Sequence, residues 1–434
     1  MGNRWRNWGG NVACEPAAVE EPESLLEVRE AIGRAATAGQ RVKVVGAGHS
    51  FSGLAGTEGR LLRLDRLDRI LAVDPSGGRA VVEGGIPLWK LNEGLAVRGL
   101  ALGNLGDIDR QSIAGASATA THGTSLRYGG LAVAIRGVEL VTADSEVVWC
   151  SADEEPEVFH CARVGLGALG VVTKVELECE PAFRLHAEEK PRRWDDFVAE
   201  WPGLVAANDH VDAYWFPHTD ICTAKVSNRT DEPVRTRSEW KRWRDEVLLA
   251  NYVFGAGVEL GKLVPALVPR IAEAVAGSIG RVEAVDRSDR VYCSRRLVRF
   301  VEMEYSIPLD SCIEALGAIR ELIDREGLRV AFPVEVRALV GDDIPLSTAY
   351  GAPRAYLAVH LPAGIPYDAY FGGVEAIMNR FAGRPHWGKL HFQDSTTLAP
   401  RYPEWDRFQA VRARLDPHGR FANEELDRVL GPVA

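Results

Sequence analysis

The fold class the sequence predicts is α+β, in two domains, and three observations carry that prediction. The chain has 434 residues, whereas one hydrophobic core stops growing at roughly 250–300 residues. Its first part alternates short apolar strands with a few runs of helical period. Its texture then changes after Glu180-Pro181. A composition of 46% hydrophobic and 26% charged residues is that of a globular protein with enough apolar material for large cores.

In chain order, the first element is a helix. From Ser24 to Ala38 the apolar residues Leu25, Val28, Ala31, Ile32 and Ala35 recur at helical spacing, and Gly39 ends the run. The strand VKVV (42–45) follows. The segments LLRL, RAVVEGG, VELVT, EVVWC and VVTKVELEC are short and β-branched or alternating, with turns such as Asp74-Pro75 and Ala143-Asp144-Ser145 between them. They place an α+β domain in residues 1–181. Beyond it Trp194, Trp201, Trp215, Trp240 and Trp243 crowd together. A helix from Ser311 to Glu326 carries Ile313, Leu316, Ile319 and Ile323 on one face and stops at Gly327. Residues 182–384 read as a second domain, and the tail 385–434, shorter than a domain, is expected to complete the first. The stretch from Asn228 to Ala250 reads as solvated helix and loop.

A net charge of −10 excludes the basic footprint of a nucleic-acid binder, which leaves small molecules as partners. The seven cysteines (14, 150, 161, 179, 222, 293, 312) are odd in number and lack a CxxC pair, so neither a disulfide framework nor a thiolate zinc site is expected. The opening MGNRWRNWGGN has no apolar run, and Arg6 stands where a myristoylation signal needs Ser or Thr. No segment approaches the roughly 20 apolar residues of a membrane helix. A soluble protein of the reducing cytoplasm is the expectation. The ten histidines form no HExxH or similar cluster, so no metal is expected.

Chemistry concentrates in three glycine segments. In VVGAGHSFSG (44–53), Gly46 and Gly48 flank Ala47 directly after a strand, which lets successive backbone N–H groups converge on an anion. Phe51 replaces the third glycine of a dinucleotide fingerprint, and no Lys-Ser/Thr follows to make a P-loop. Alone, the turn fits a tight reversal as well as a ligand site. Residues 103–125, GNLGDIDRQSIAGASATATHGTS, are poor core material and suit a backbone wrapped around a ligand. The third segment, VGLGALGVVTKVEL (164–177), sets Gly165, Gly167 and Gly170 before a strand. Together they point to one extended, phosphate-bearing ligand. Farther on, alternation in AFPVEVRALV (331–340) puts Glu335 and Arg337 on one strand face. An exposed ion pair and a polyol- or lactone-binding pair are both open readings of it.

These motifs resemble the flavin-binding domain of the vanillyl-alcohol-oxidase superfamily, with its PCMH-type FAD-binding fold. Within it they look like the branch of aldonolactone and alditol oxidoreductases, of the L-gulono-1,4-lactone or D-arabinono-1,4-lactone oxidase or dehydrogenase type. RPHWGKLH (384–391) and LDPHGRFANEELDRVLG (415–431) resemble that branch's ending, so the similarity covers nearly the whole chain. The resemblance implies an FAD-binding domain and a substrate or cap domain with an antiparallel sheet flanked by helices. It implies FAD bound covalently through His49 to the 8α-methyl of the ring; a turn-capping role is the alternative for that histidine. Cofactor contacts are implied at Val45, Gly46, Ala47, Gly48, Ser50, Phe51, Gly106, Asp107, Ser112, Gly115, Thr119, Thr121, His122, Gly170, Val172, His386 and Lys389.

The resemblance further implies catalysis by Glu335, Arg337 and Lys389, with Asp107 and His360 joining Glu335 and Arg337 in binding substrate. Hydride transfer to flavin N5 is then accompanied by loss of the hydroxyl proton, with Glu335 as its hydrogen-bonding or accepting group, Arg337 orienting the oxygens and Lys389 stabilising charge on the reduced ring. Gly106 stands where oxygen-reactive members carry glycine, which permits an oxidase forming hydrogen peroxide. Asp107 and Pro362 replace two polyol contacts of alditol oxidases, favouring an aldono-1,4-lactone over a xylitol- or sorbitol-like alditol. A lactone dehydrogenase with another electron acceptor, and a flavin binder or reductase, stay open.

Overall fold

The computed structural model describes residues 4–235, 254–294 and 298–433. Its N-terminal hairpin pairs β1 (Trp5–Arg6) with β2 (Ala13–Cys14). A three-stranded parallel sheet follows, made of β3 (Ala18–Glu20), β4 (Val42–Val45) and β5 (Arg60–Arg63) in the order β3-β5-β4 and crossed by α1 (Leu25–Thr37). The helix begins where Ser24 accepts a hydrogen bond from the Glu27 amide and buries Val28, Ala31, Ile32 and Ala35, the stripe its spacing predicts.

Five antiparallel strands form the next layer: β6 (Ile70–Asp74), β7 (Arg79–Glu83), then, beyond α2 (Leu88–Ala96), β8 (Leu100–Ala101) and α3 (Ile113–Ala118), β9 (Ile135–Val141) and β10 (Val147–Ser151), and after α4 (Pro156–Ala162), β11 (Val171–Glu178). Their order is β10-β9-β11-β7-β6, while β12 (Glu180–Pro181) pairs with β8.

An eight-stranded antiparallel sheet dominates the remainder. Its strands are β13 (Arg184–Arg193), β14 (His210–Trp215), β15 (Ile221–Thr230), β16 (Val282–Arg287), β17 (Phe300–Pro308), β18 (Val334–Leu339), β19 (Arg354–Pro362) and β20 (Arg384–Pro385), ordered β16-β13-β15-β14-β18-β19-β17-β20. Helices α5 (Trp194–Ala207), α6 (Phe254–Leu263), α7 (Val268–Gly277), α8 (Ser288–Tyr292), α9 (Cys312–Arg325) and α10 (Asp368–Arg380) lie between strands in the chain. Alternation decides the sheet's two faces. One sends Val301, Met303, Val334, Val336, Leu357 and Val359 into a core shared with α5, α9 and α10. The opposite positions carry Asp212, Tyr214, Glu302, Glu304, Glu335, Arg337 and His360.

After β20 come α11 (Ser395–Leu398), α12 (Trp405–Leu415) and α13 (Glu424–Leu430), whose Leu398, Phe408, Val411 and Leu426 share a core with Val82, Leu91 and Leu140. The Val42 amide donates to Arg420 O at 2.7 Å, tying this tail to β4. One expectation is corrected: residues 228–230 are not solvated loop but the end of β15, in register with Arg184, Leu185 and His186 of β13. The rest of that stretch from 236 onward, with Trp240 and Trp243, lies outside the described residues. Among the described residues no helix is long and apolar enough to cross a membrane.

Candidate active site

The three glycine segments meet. Val45, Gly46, Ala47, Gly48, His49 and Ser50 line one side of a cavity. Ser112, Gly115 and Thr119 from the start and end of α3 line a second side, and Gly170 and Val172 a third. A Cβ on Gly46 would lie 2.1 Å from Ser112 Oγ, and one on Gly170, at φ +150°, 2.7 Å from Val141 O. Gly48 has φ +69°, which glycine adopts without strain. Among the described residues, the amides of Ala47, Gly48, His49 and Ser50 have no acceptor within the chain. A cavity lined by these three segments, with a turn of free N–H donors in its wall, fits the phosphates and fused ring of FAD. Burial, with the Lys389 and Arg110 charges, lowers the His49 pKa to about 4, so its imidazole is neutral at pH 7.

The polar face of the large sheet adjoins this cavity. The Phe51 amide donates to Gly388 O at 2.7 Å, Ser52 Oγ donates to Trp387 O at 2.8 Å, and Lys389 Nζ sits 5.5 Å from the Phe51 ring centre. Lys389 is held by a loop laced onto β17, where the His386 and Leu390 amides donate to Glu304 O and Glu302 O, each at 2.9 Å. Its ammonium pairs with the buried Glu302 carboxylate, which also lies 3.6 Å from His360 Nε2. Next to them Glu335 Oε1 accepts from the Tyr214 hydroxyl and from Arg337 Nη2, both at 2.6 Å. Arg337 Nε donates to Asp212 Oδ1 at 2.8 Å, and its Nη2 is 3.6 Å from Asp107 Oδ1.

Three carboxylates thus share one guanidinium. Burial, assisted by Asp107 and Asp212 and opposed by Arg337, pushes the Glu335 pKa up. At Lys389 burial works against the charge, but Glu302 and Glu304 outweigh it and its pKa rises. On the far side His122 Nδ1 donates to Gly123 O at 2.8 Å and its Nε2 lies 3.3 Å from Glu304 Oε1. His386 accepts the Gly388 amide on Nδ1 at 3.0 Å, and burial lowers its pKa to about 3, leaving it neutral.

A family model described as FAD binding domain matches residues 16–151, and one described as D-arabinono-1,4-lactone oxidase matches residues 175–429, more than half of the chain. The chain belongs to the D-arabinono-1,4-lactone oxidase family. It is 42% identical over 432 residues to an L-gulono-1,4-lactone dehydrogenase of Mycobacterium tuberculosis, covering 99% of each chain. It is 34% identical over 435 residues to an L-gulonolactone oxidase of Scyliorhinus torazame, covering 99% of this chain and 98% of the relative. A cholesterol oxidase from B. sterolicum superposes with a TM-score of 0.83 at 17% identity, over 100% of this chain and 97% of the other, and shares the fold. As a member of the lactone oxidase family, the protein is an FAD-dependent oxidoreductase.

In this lactone oxidase fold the residues singled out from the sequence form two groups. His49 and the small residues of the three glycine segments line the cavity. Glu335, Arg337, Lys389, His360 and Asp107 gather on the polar sheet face. Phe51, Gly106, Thr121, His122 and His386 are outside the cavity lining. Phe51 packs on Phe300 at 5.6 Å, Gly106 lies under His122 O, Thr121 Oγ1 accepts from Gln111 at 3.3 Å, and His122 and His386 flank Glu304. Of the two open readings of Glu335 and Arg337, the exposed ion pair is overturned: both are buried.

Sequence reasoning missed Asp212, Tyr214, Glu302 and Glu304. The last two were visible as alternate glutamates in the apolar run FVEMEYSIP, a pattern that costs stability unless the carboxylates are paired. It also missed two sets of metal-ligand types, His122–Glu304–His386 and Glu302–Glu335–His360, whose atoms lie within 4.8 Å of one another. Distant strands build them, so no local spacing reveals them. The Lys389 and Arg337 charges that already pair with Glu302 and Glu335 weigh against a metal cation there.

Proposed function

We propose that this protein oxidises an aldono-1,4-lactone, of the L-gulono, L-galactono or D-arabinono type, and passes the electrons to dioxygen, giving hydrogen peroxide. Bound FAD supplies the hydride acceptor. The observation that carries the reading is the set of buried Glu335 and Arg337 with the partly buried Lys389, held against the cavity by the Ser50–Phe51 and Gly388 contacts. His49 and the amides of the glycine turn would hold FAD, and we assign His49 as its covalent attachment point. Arg337, steadied by Asp212, orients the lactone oxygens together with Asp107 and His360. Glu335 Oε1 receives the proton of the reacting hydroxyl, a role suited to a carboxylate whose pKa burial has raised toward neutrality. Lys389, kept charged by Glu302, offsets the negative charge that develops beside it.

Residues 1–181 with 385–434 are assigned to cofactor binding and 182–384 to substrate. Seven free cysteines support a reducing, cytoplasmic setting. Gly106 supports dioxygen as the acceptor. A non-oxygen acceptor is the second reading, favoured by the dehydrogenase name of the 42% identical relative.

The test is anaerobic mixing of the yellow protein with each lactone and with xylitol. Bleaching by a lactone but not by xylitol supports the reading, and no bleaching refutes it. Peroxide formed on admitting air separates the two acceptors. Yellow colour kept by an acid precipitate, and lost from His49→Ala, tests the attachment.

A further inference from the structure

The segment before β3 reads RWRNWGGNVAC (4–14), and the activity proposed above leaves it without a task. In the structure it grips the histidine turn. The Trp8 amide donates to Gly48 O at 2.8 Å, Asn7 Nδ2 donates to Ser50 O at 2.9 Å, and Asn11 Nδ2 donates to Phe51 O at 2.8 Å. Asn7 is itself locked, since its Oδ1 accepts the Val12 amide at 3.0 Å and its Nδ2 also reaches Asn11 Oδ1 at 2.9 Å.

The fit leaves no slack. A Cβ on Gly9 would lie 2.8 Å from the Phe51 ring, Gly10 has φ +76°, and a Cβ on Gly48 would lie 3.3 Å from the Trp5 ring. The Trp8 ring meets the His49 ring at 5.5 Å between centres with planes 31° apart, and meets Phe300 of β17 edge-on at 5.2 Å.

Peptide units are planar and trans, so pinning a carbonyl aims the next N–H the opposite way. Trp8 pins the Gly48–His49 peptide. Asn7 pins the Ser50–Phe51 peptide on its carbonyl side, and Gly388 O holds its N–H. His49 therefore stands between two immobilised peptides with an indole against its ring.

We propose that the N-terminal hairpin is a positioning clamp for His49, which fixes its backbone through Trp8 and Asn7 and its ring through the Trp8 indole for covalent attachment to the flavin. The proposal rests on the reading that His49 carries the flavin. The link replaces an 8α-methyl C–H and the imidazole N–H by one N–C bond, and the two electrons and two protons released pass to an electron acceptor, dioxygen in an aerobic assay. The clamp's contribution is orientation, and a group held in one geometry reacts faster than one free to turn.

The experiment follows the full-length apoprotein incubated with FAD in air, measuring flavin retained after acid precipitation over time and, separately, reversible FAD affinity from quenching of flavin fluorescence. Trp8→Ala and Asn7→Ser are expected to slow the gain of acid-stable flavin at least tenfold while changing reversible affinity less than threefold. Trp8→Phe, which keeps a flat ring, recovers most of the rate. Should Trp8→Ala not fold, Asn7→Ser and Trp8→Phe carry the test between them. Attachment within twofold of the unmodified rate in Asn7→Ser, or an equal loss of rate and reversible affinity, overturns the clamp. Release of all flavin by the unmodified protein in acid overturns the His49 reading itself, and the clamp with it.

Discussion

Replacing Glu302 by glutamine keeps its shape and removes its charge, leaving the partly buried Lys389 with its main counter-charge gone. Removing one partner of a buried ion pair leaves ~3–5 kcal/mol of uncompensated charge. A lysine escapes that cost by releasing its proton, and at 1.36 kcal/mol per unit the escape amounts to a fall of ~2–4 pKa units. Glu304, the second anion acting on Lys389, remains in place and keeps the fall toward the lower figure. The assay is anaerobic stopped-flow reduction with L-gulono-1,4-lactone at a series of pH values. In the unmodified protein the raised Lys389 pKa keeps the ammonium charged, so the rate does not decline between roughly neutral and mildly alkaline pH. In Glu302→Gln the rate declines as pH rises, by about tenfold per unit beyond the new midpoint, and recovers on acidification. Lys389→Met is expected to be slower by ~10² without that alkaline decline. A Glu302→Gln profile parallel to that of the unmodified protein would refute the argument, since Lys389 would then hold its proton without Glu302.

Four further outcomes follow from the structure. Glu335→Gln should slow flavin reduction by ~10²; and because Asp107 helps to raise the Glu335 pKa, Asp107→Asn should move the acid limb of the unmodified enzyme's rate profile to lower pH. Gly46→Ala, whose Cβ meets Ser112 Oγ, should weaken FAD binding at least ~10-fold, and Ser112→Ala added to it should restore part of the loss, as measured by fluorescence titration. Lys43 is buried among the Gly167 and Phe421 carbonyls, and burial, with Arg412, lowers its pKa from 10.5 to about 7. The unfolded chain therefore holds a proton that the folded one has released between those values, so this group makes stability rise with pH by ~1 kcal/mol per unit there. Lys43→Met should remove that rise from the pH series of apoprotein melting temperatures.

Much of the fold's first part was legible because its signals are local. Ser24 and the Val28–Ala35 stripe wrote α1, VKVV wrote β4, and the GAGHS turn announced its own geometry. Glu335 and Arg337 were legible because a strand's period of two survives any tertiary setting. Their burial was not, since it depends on β14 and β19 flanking β18, an order no single stretch encodes. Glu302 and Glu304 lay in plain view as alternate acids, but their partners Lys389 and His122 come from the tail and from the second glycine segment. Asn7 and Trp8 carried no signal at all, because what gives them meaning is a turn 40 residues farther along the chain. The end of β15 was lost for a different reason, its Asn-Arg-Thr being polar residues on a half-exposed strand.

The loop bearing Lys389 is sewn to β17 by two amides, and the polypeptide then runs back to cover β4 and the helices of the first core. A ribosome emits every glycine of the cavity, and the imidazole among them, long before it emits that ammonium. Early in its synthesis the polypeptide already holds every residue of the cofactor's cradle, yet the core beneath that cradle and the chemistry beside it wait for nearly the last tenth of translation. The order of assembly, written into the topology, delays electron transfer until there is a finished enclosure to contain it.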